Sequence, residues 1–123
     1  MSSPGRLLIW GAGGHAKVVA DVARVTGWEV IGFLDDDPAK QGQVFYGAPV
    51  QVPRNVFSQF SPAEISRPLS IVVAIGDNST RERCLVSLFD QQIPVPSLID
   101  PSARVSPTAV LGPGTIVMAG AVV

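Results

Sequence analysis

The segment from Gly11 to Lys17 has the residue types that bind a phosphate group at the start of a helix. Gly11, Gly13 and Ala16 form the pattern G-x-G-x-x-A, and His15 lies within it. Residues with little or no side chain let a phosphate reach backbone N–H groups at the positive end of a helix. The His15 ring and the Lys17 ammonium group can meet phosphate or sugar oxygens. The segment predicts nucleotide binding; the structural alternative is a tight turn with a capping histidine and a solvated lysine.

A second turn carries adjacent carboxylates. Asp35 and Asp36 close the next apolar run, about twenty residues after the glycine pattern, which is the spacing of an acidic residue in dinucleotide-binding proteins. An NAD-dependent oxidoreductase fragment is therefore one interpretation. His15 and Lys17 fit it poorly, because dinucleotide turns usually have small apolar residues at these positions.

A third turn contains Gly76, Asn78 and Arg81. Gly76 leaves room for a ligand to approach the backbone. The side chains of Asn78 and Arg81 are candidate ligand contacts. Their structural alternatives are a helix cap for Asn78 and a place on the exposed helix face for Arg81.

Three apolar runs predict the strands that position these turns, at residues 7–10, 30–34 and 71–75. Helices are expected directly after the first run, ending near Gly27, and from about Ser79 to Gln92, with a short helix starting at Ser61. All three turns then lie at the carboxyl edge of a parallel sheet, where ligands of such folds bind. Residues 1–97 are thus predicted to form a small, doubly wound, Rossmann-like α/β domain.

The last part of the chain has an aliphatic residue at every sixth position. The first four of these aliphatic residues are each followed, four places later, by a small residue: Ala103, Ala109, Thr115 and Ala121. The aliphatic positions are Ile99, Val105, Leu111, Val117 and Val123. This period predicts hexapeptide repeats of a parallel β-helix over residues 98–123, whereas the alternative is a Pro/Gly-rich tail with chance alternation. Because Val123 opens a further repeat, we expect this chain to be the front part of a longer protein.

Composition limits the partners. The formal net charge of -1 gives no basic surface for nucleic acid or anionic lipid, and no segment has the length of a membrane span or the form of a signal peptide. We expect a cytoplasmic protein with no nucleic-acid or membrane partner and no metal site. The single cysteine, Cys84, is expected to be a small core residue.

The Gly-Gly-His-x-Lys turn, the segment from Phe33 to Pro38, the segment from Ile75 to Arg81 and the hexapeptides occur here in one order. In that order they resemble the NeuD/PglD-type sugar acyltransferases, which comprise sialic-acid O-acetyltransferases and UDP-amino-sugar N-acetyltransferases. The resemblance covers nearly the whole chain. It implies a Rossmann-like domain that holds a nucleotide sugar, followed by a left-handed β-helix that trimerises and binds acetyl-CoA between subunits.

The resemblance also implies roles for individual residues. The turn containing Gly11, Gly13, Gly14 and His15, together with Lys17, would contact the phosphates or the sugar. Asp35 and Asp36 would face the uridine. Gly76, Asn78 and Arg81 would close the pocket from the third turn.

The sequence departs from this family at the catalytic end. Family members resemble one another in using a histidine from a later coil as general base, whereas the one histidine of this chain is His15. We therefore expect no catalytic residue in this chain, no complete acetyl-CoA surface, and a weakened or lost trimer interface.

Three functions follow as hypotheses. The first is the UDP-sugar-binding part of a bacterial acetyltransferase that makes surface glycans, acting on an amino sugar or a sialic acid. The second is a non-catalytic nucleotide-binding module, and the third is the NAD-dependent oxidoreductase fragment.

Overall fold

The computed structural model describes residues 4–53, 69–112 and 114–123, so the short helix predicted from Ser61 lies outside the described residues. The described elements alternate between strands and helices in the first part of the chain and are short strands at its end. In chain order they are β1 (Arg6–Trp10), α1 (Gly14–Val25), β2 (Glu29–Leu34), a 3-10 helix (Pro38–Lys40), β3 (Val44–Phe45), β4 (Ala48–Gln51), β5 (Leu69–Val73), α2 (Asn78–Asp90), β6 (Leu98–Ile99) and β7 (Ile116–Val117).

The main sheet has the strand order β3-β4-β2-β1-β5. Strand β1 pairs in parallel with both β2 and β5, and β4 pairs in parallel with β2, while β3 closes the edge as an antiparallel hairpin with β4. The chain therefore leaves β1 toward β2 and later returns to the opposite side of β1 as β5. This reversal places the topological switch point of the sheet between β1 and β5.

Two apolar layers cover the two faces of this sheet. Leu7 and Ile9 belong to the layer that includes the buried face of α1, while Leu8 and Trp10 belong to the layer that includes α2. This alternation follows from the two-residue period of a strand. The helices thus lie on opposite faces, and the predicted doubly wound α/β fold is confirmed.

Cys84 lies in the α2 layer and is 7% exposed. Burial raises the pKa of its thiol, and the nearby charge of Asp36 raises the pKa further. A thiol held in its neutral form is a poor nucleophile. The prediction that Cys84 is a core residue is confirmed.

The end of the chain returns on itself after 18 residues. Leu98 pairs in parallel with Ile116 and Ile99 pairs with Val117, and a bridge joins Arg104 to Val122 at the same offset. Three hexapeptides make up one such offset, which is the spacing that the sixfold period predicts.

Burial within this coil differs from the expected pattern at its ends. Val117 is buried at a predicted inward position, but Ile99 and Val123 are 38% and 45% exposed. Aliphatic side chains in stacked coils are buried by their neighbours, and these two positions have one stacked partner each among the described residues. Leu98, which the period did not single out, is 1% exposed and packs into the α1 layer.

None of the helices in the three described ranges combines the length and apolarity needed to cross a bilayer.

Gly11 is the glycine that the fold itself requires. Its φ is +132°, and a Cβ atom there would lie 2.6 Å from the Ala74 carbonyl oxygen. We expect Gly11→Ala to lower the free energy of unfolding by about 3 kcal/mol, because the strained backbone and the clash act together. Urea unfolding measures this change.

Two alanine variants separate the causes. Gly42 has a φ of +81° in open space, and Gly13 is open without a positive φ. Gly42→Ala should cost about 1 kcal/mol and Gly13→Ala close to nothing. A Gly11→Ala protein as stable as the Gly13→Ala protein would contradict the close packing of the two turns.

Candidate functional site

The first and third turns meet at the switch point of the sheet. The Gly11 N–H donates to the Leu34 carbonyl at 2.6 Å, and the Ala74 N–H donates to the Trp10 carbonyl at 2.8 Å. Gly11 thus fixes the ends of β1, β2 and β5 to one another. Ligands of open α/β sheets bind in the crevice outside such strand ends.

Helix α1 begins at this crevice without a side-chain cap. Gly13 occupies the cap position, no side chain there accepts a hydrogen bond, and the first turn of α1 contains no acidic residue. Cβ atoms added at Gly13 and Gly14 would meet no atom of the described residues within 4 Å. These two glycines have no packing reason to be glycines, unlike Gly11. An open, uncapped helix N-terminus with exposed backbone donors is suited to an anionic group.

Helix α2, unlike α1, begins with a side-chain cap. The Asp77 carboxylate accepts hydrogen bonds from the Thr80 N–H at 2.9 Å, the Thr80 hydroxyl at 2.6 Å and the Ser79 hydroxyl at 3.0 Å. These bonds lower the pKa of Asp77. Asp77 is therefore the cap of α2, and the alternative that Asn78 caps this helix is wrong. Asn78 instead accepts a hydrogen bond from Arg81 at 3.1 Å.

A cavity of about 420 Å³ brings the first and third turns together with the coil. His15 and Arg81 are the predicted site residues that line it. Both are exposed. The remaining lining residues are apolar residues of the sheet and α2 and residues of the coil: Val73, Leu85, Gly114, Thr115, Ile116 and Met118.

Sequence reasoning missed the contribution of the coil to this cavity. The sixfold period predicted the strand containing Val117, but it carries no information about which side of the coil rests on the sheet. That contact depends on Leu98, Ile116 and Met118 packing against the α1 layer. The signal that could have suggested it is the directly preceding segment, which leads from α2 into the coil without a long linker.

The second turn is already internally bonded. The Asp35 carboxylate accepts from the Asp37 N–H at 2.9 Å and pairs with the Lys40 ammonium group at 3.5 Å. The same ammonium group donates to the Ala12 carbonyl at 3.1 Å. Asp36 is exposed and lies near enough to Cys84 to affect its pKa. The structure thus places Asp35 and Asp36 on different sides of this turn.

Lys17 lies away from the cavity. Its ammonium group is 5.7 Å from the centroid of the Phe45 ring, a cation–π arrangement on the β3–β4 hairpin. Lys40, which sequence reasoning did not single out, is the lysine that contacts the glycine turn. Lys40 is the last residue of the 3-10 helix Pro38–Lys40, which Asp37 caps, and this helix places its side chain beside the glycine turn. The pair Asp37-Pro38 indicates in the sequence that a short helix begins there. It does not predict the contact between Lys40 and Ala12, which are 28 residues apart in the chain.

The described residues contain no group of three or more His, Cys, Asp or Glu side chains that could hold a metal ion.

The sequence from residue 6 to residue 88 matches the family described as the PglD N-terminal domain. The chain belongs to the PglD N-terminal domain family. The matched range contains all three turns, and the coil follows it. In this PglD-type chain the resemblance in the glycine turn, the aspartate turn and the third turn therefore reflects membership of the family.

Relatives of this PglD-type chain are sugar N-acetyltransferases. UDP-N-acetylbacillosamine N-acetyltransferase of Bacillus subtilis is 33% identical over 117 residues, which cover 90% of this chain and 50% of that protein. The acetyltransferase domain of PglB from Neisseria gonorrhoeae, solved in complex with acetyl coenzyme A, is 39% identical, with a TM-score of 0.79 over 95% of this chain and 54% of that one.

A mutant of perosamine N-acetyltransferase from Caulobacter crescentus, in complex with CoA and GDP-perosamine, is 35% identical, with a TM-score of 0.83 over 98% of this chain and 55% of that one. The chain thus spans about half the length of the relatives it matches.

The Asp77 cap gives a pH dependence to the third turn. Its pKa in the folded protein lies below the ordinary 3.8. The cap therefore stabilises the fold above pH 4, and this contribution is lost as the pH falls through the lower folded value. Asp77→Asn should keep the cap but flatten the fall in stability below pH 4, because asparagine caps helices without titrating.

Urea unfolding at pH 7 and pH 3 measures this effect. Asp77→Ala, which removes the cap, should be less stable than the wild type at pH 7. Equal loss of stability between the two pH values in the wild type and Asp77→Asn would show that the cap does not titrate as described.

Proposed function

We propose that this chain is the nucleotide-sugar-binding part of a bacterial acetyltransferase that transfers an acetyl group from acetyl-CoA to a nucleotide-activated amino sugar. The observation that carries the proposal is the uncapped N-terminus of α1, with the open positions Gly13 and Gly14, beside a cavity lined by His15 and Arg81. The names of the relatives, which include a UDP-sugar enzyme and a complex with GDP-perosamine, support the substrate class.

The diphosphate is assigned to the N-terminus of α1. There the backbone N–H groups of Gly13 and Gly14 have no acceptor among the described residues, and the helix dipole favours a negative charge. Gly11 holds this turn against β5. Lys17, predicted from sequence to contact the phosphates, lies on the hairpin side of the same turn.

The sugar is assigned to the cavity between the sheet and the coil. His15 and Arg81 present polar groups there, and Asn78 holds the Arg81 guanidinium group from the same helix turn. Gly76 is open, so a ligand can approach the third turn without a steric barrier. The predicted uridine contacts Asp35 and Asp36 remain part of the proposal.

Acetyl-CoA would supply the acetyl group: the amide C–N bond forms as the thioester C–S bond breaks, and coenzyme A leaves as the thiol. This chain's own residues bind and orient the amino sugar; the proton of the attacking amine needs a general base, and no residue here is assigned that role. The single histidine, His15, belongs to the nucleotide turn. We place the base and the acetyl-CoA surface outside these 123 residues.

Acetylation of nitrogen is preferred over acetylation of oxygen, because the named relatives are N-acetyltransferases. We further propose a cytoplasmic enzyme that forms a homotrimer through its left-handed β-helix, with an interface weakened or lost in this chain alone. The proposal names surface glycans as the destination of the sugar.

Isothermal titration with UDP, a UDP-amino sugar, GDP-perosamine, NAD and acetyl-CoA tests the function. We expect this chain to bind the nucleotide sugars and not NAD or acetyl-CoA. Binding of NAD alone would favour the oxidoreductase interpretation, in which Asp35 would meet a ribose. Binding of nucleotide sugar without acetyl transfer by the full-length protein would favour a non-catalytic binding module.

A Gly13→Val variant tests the turn itself. The position is open and its φ of -121° suits a β-branched residue, so the melting temperature should stay within about 2 °C of the wild type. Affinity for UDP should fall at least about tenfold, because the side chain blocks the backbone donors.

Gly112→Val is the matched control, because Gly112 is equally open but lies in the coil. It should bind UDP like the wild type. Unchanged affinity of the Gly13→Val protein would remove this turn from the site.

A further inference from the structure

Lys40 connects the second turn to the first. Its ammonium nitrogen lies 3.1 Å from the Ala12 carbonyl oxygen and 3.5 Å from a carboxylate oxygen of Asp35. The Lys40 side chain is 40% exposed and that of Asp35 is 20% exposed. A charged donor on a partly buried carbonyl is a stronger bond than one between neutral groups. This contact is therefore more than an incidental surface ion pair.

The carbonyl that Lys40 holds belongs to the peptide unit between Ala12 and Gly13. The described chain contains no cis peptide bonds, and the six atoms of a trans peptide unit lie in one plane with C=O and N–H pointing in opposite directions. A bond to the Ala12 oxygen therefore fixes the direction of the Gly13 N–H. The same bond draws electron density toward the oxygen and makes this N–H a better donor.

Local hydrogen bonds hold the backbone that carries Lys40. Asp37 caps the 3-10 helix by accepting from the Ala39 N–H at 3.0 Å, and Asp35 accepts from the Asp37 N–H. The Gln43 side chain donates to the Ala39 carbonyl at 3.0 Å. These local bonds hold the short helix whose last residue is Lys40. The lysine thus reaches the glycine turn from a hydrogen-bonded segment.

We propose that Lys40 is a positioning residue for phosphate binding: it orients the Ala12–Gly13 peptide so that the Gly13 N–H can donate to the nucleotide diphosphate. The inference rests on the proposed function, because it assigns the anion to the N-terminus of α1. Lys40 also neutralises Asp35, which would otherwise place an unpaired negative charge beside the phosphate. Lys17, the lysine that the sequence pattern favoured, makes its described contact with Phe45 instead.

The test compares Lys40→Met with Lys17→Met, using UDP and uridine as probes in isothermal titration. Lys40→Met should weaken UDP binding about tenfold, the effect of one charge-assisted hydrogen bond. Uridine affinity should fall by no more than about twofold, because uridine has no diphosphate and the bond from the Asp37 N–H still holds Asp35 in place. Lys17→Met should leave both affinities near those of the wild type. Lys40→Arg, which keeps the donor, should restore part of the UDP affinity.

A second readout follows the turn without a ligand. In an amide ¹⁵N–¹H spectrum, Lys40→Met should shift the Gly13 resonance, since the hydrogen bond on the preceding carbonyl is lost, whereas Lys17→Met should not. An unshifted Gly13 resonance would overturn the positioning role. Equal loss of UDP and uridine binding in Lys40→Met would overturn it too, because general damage to the site does not single out the phosphate.

The two proposals fail in different ways. A wild-type chain that binds neither UDP nor a nucleotide sugar overturns the proposed function, and the role of Lys40 with it. A wild-type chain that binds UDP, with the same affinity in Lys40→Met, overturns the role of Lys40 alone.

Discussion

The close approach of two backbone turns at Gly11 is the constraint on which the site depends. The hydrogen of Gly11 takes the space where any side chain would meet the Ala74 carbonyl, and the Gly11 N–H bonds across to the end of β2. Three strand ends are thereby held within one small region. The start of α1, the cap of α2 and the short helix carrying Lys40 all take their positions from it. A looser junction would leave the same residues in the chain but would not hold them around one crevice.

The two helix N-termini at this crevice differ in their charge, because α2 has an acidic cap and α1 has no side-chain cap. The Asp77 carboxylate accepts a hydrogen bond from the Thr80 N–H, so the N-terminus of α2 already has a negative group supplied by the protein. The start of α1 has no side-chain cap among the described residues, and Asp35 of the second turn is paired with Lys40. A protein of net charge -1 can therefore offer one localised positive site without a basic surface.

Much of the fold follows from the sequence because its signals are local. The apolar runs before Gly11, Asp35 and Gly76 are strands, the sixfold period gives the 18-residue coil, and the family motifs lie in the predicted turns. The contacts that could not be predicted are long-range. The residues around Lys40 do not predict its hydrogen bond to Ala12. The sixfold period likewise does not predict that Leu98 packs against α1. The two lysines differ in the direction of their side chains: Lys17 lies over the Phe45 ring, whereas Lys40 contacts the glycine turn. A sequence gives the spacing of residues but not the direction of their side chains.

The parallel pairing of Leu98 with Ile116 fixes the distance between successive turns of the coil. Adjacent parallel strands are about 4.8 Å apart, so every further 18 residues would carry a group about that distance along the axis from the cavity. Insertions that preserve the stacking must come in whole coils, whereas shorter ones must bulge outward at a corner. The separation between the glycine turn and any group on such a coil can therefore change only in steps, and a step exceeds the length of any covalent bond in a sugar.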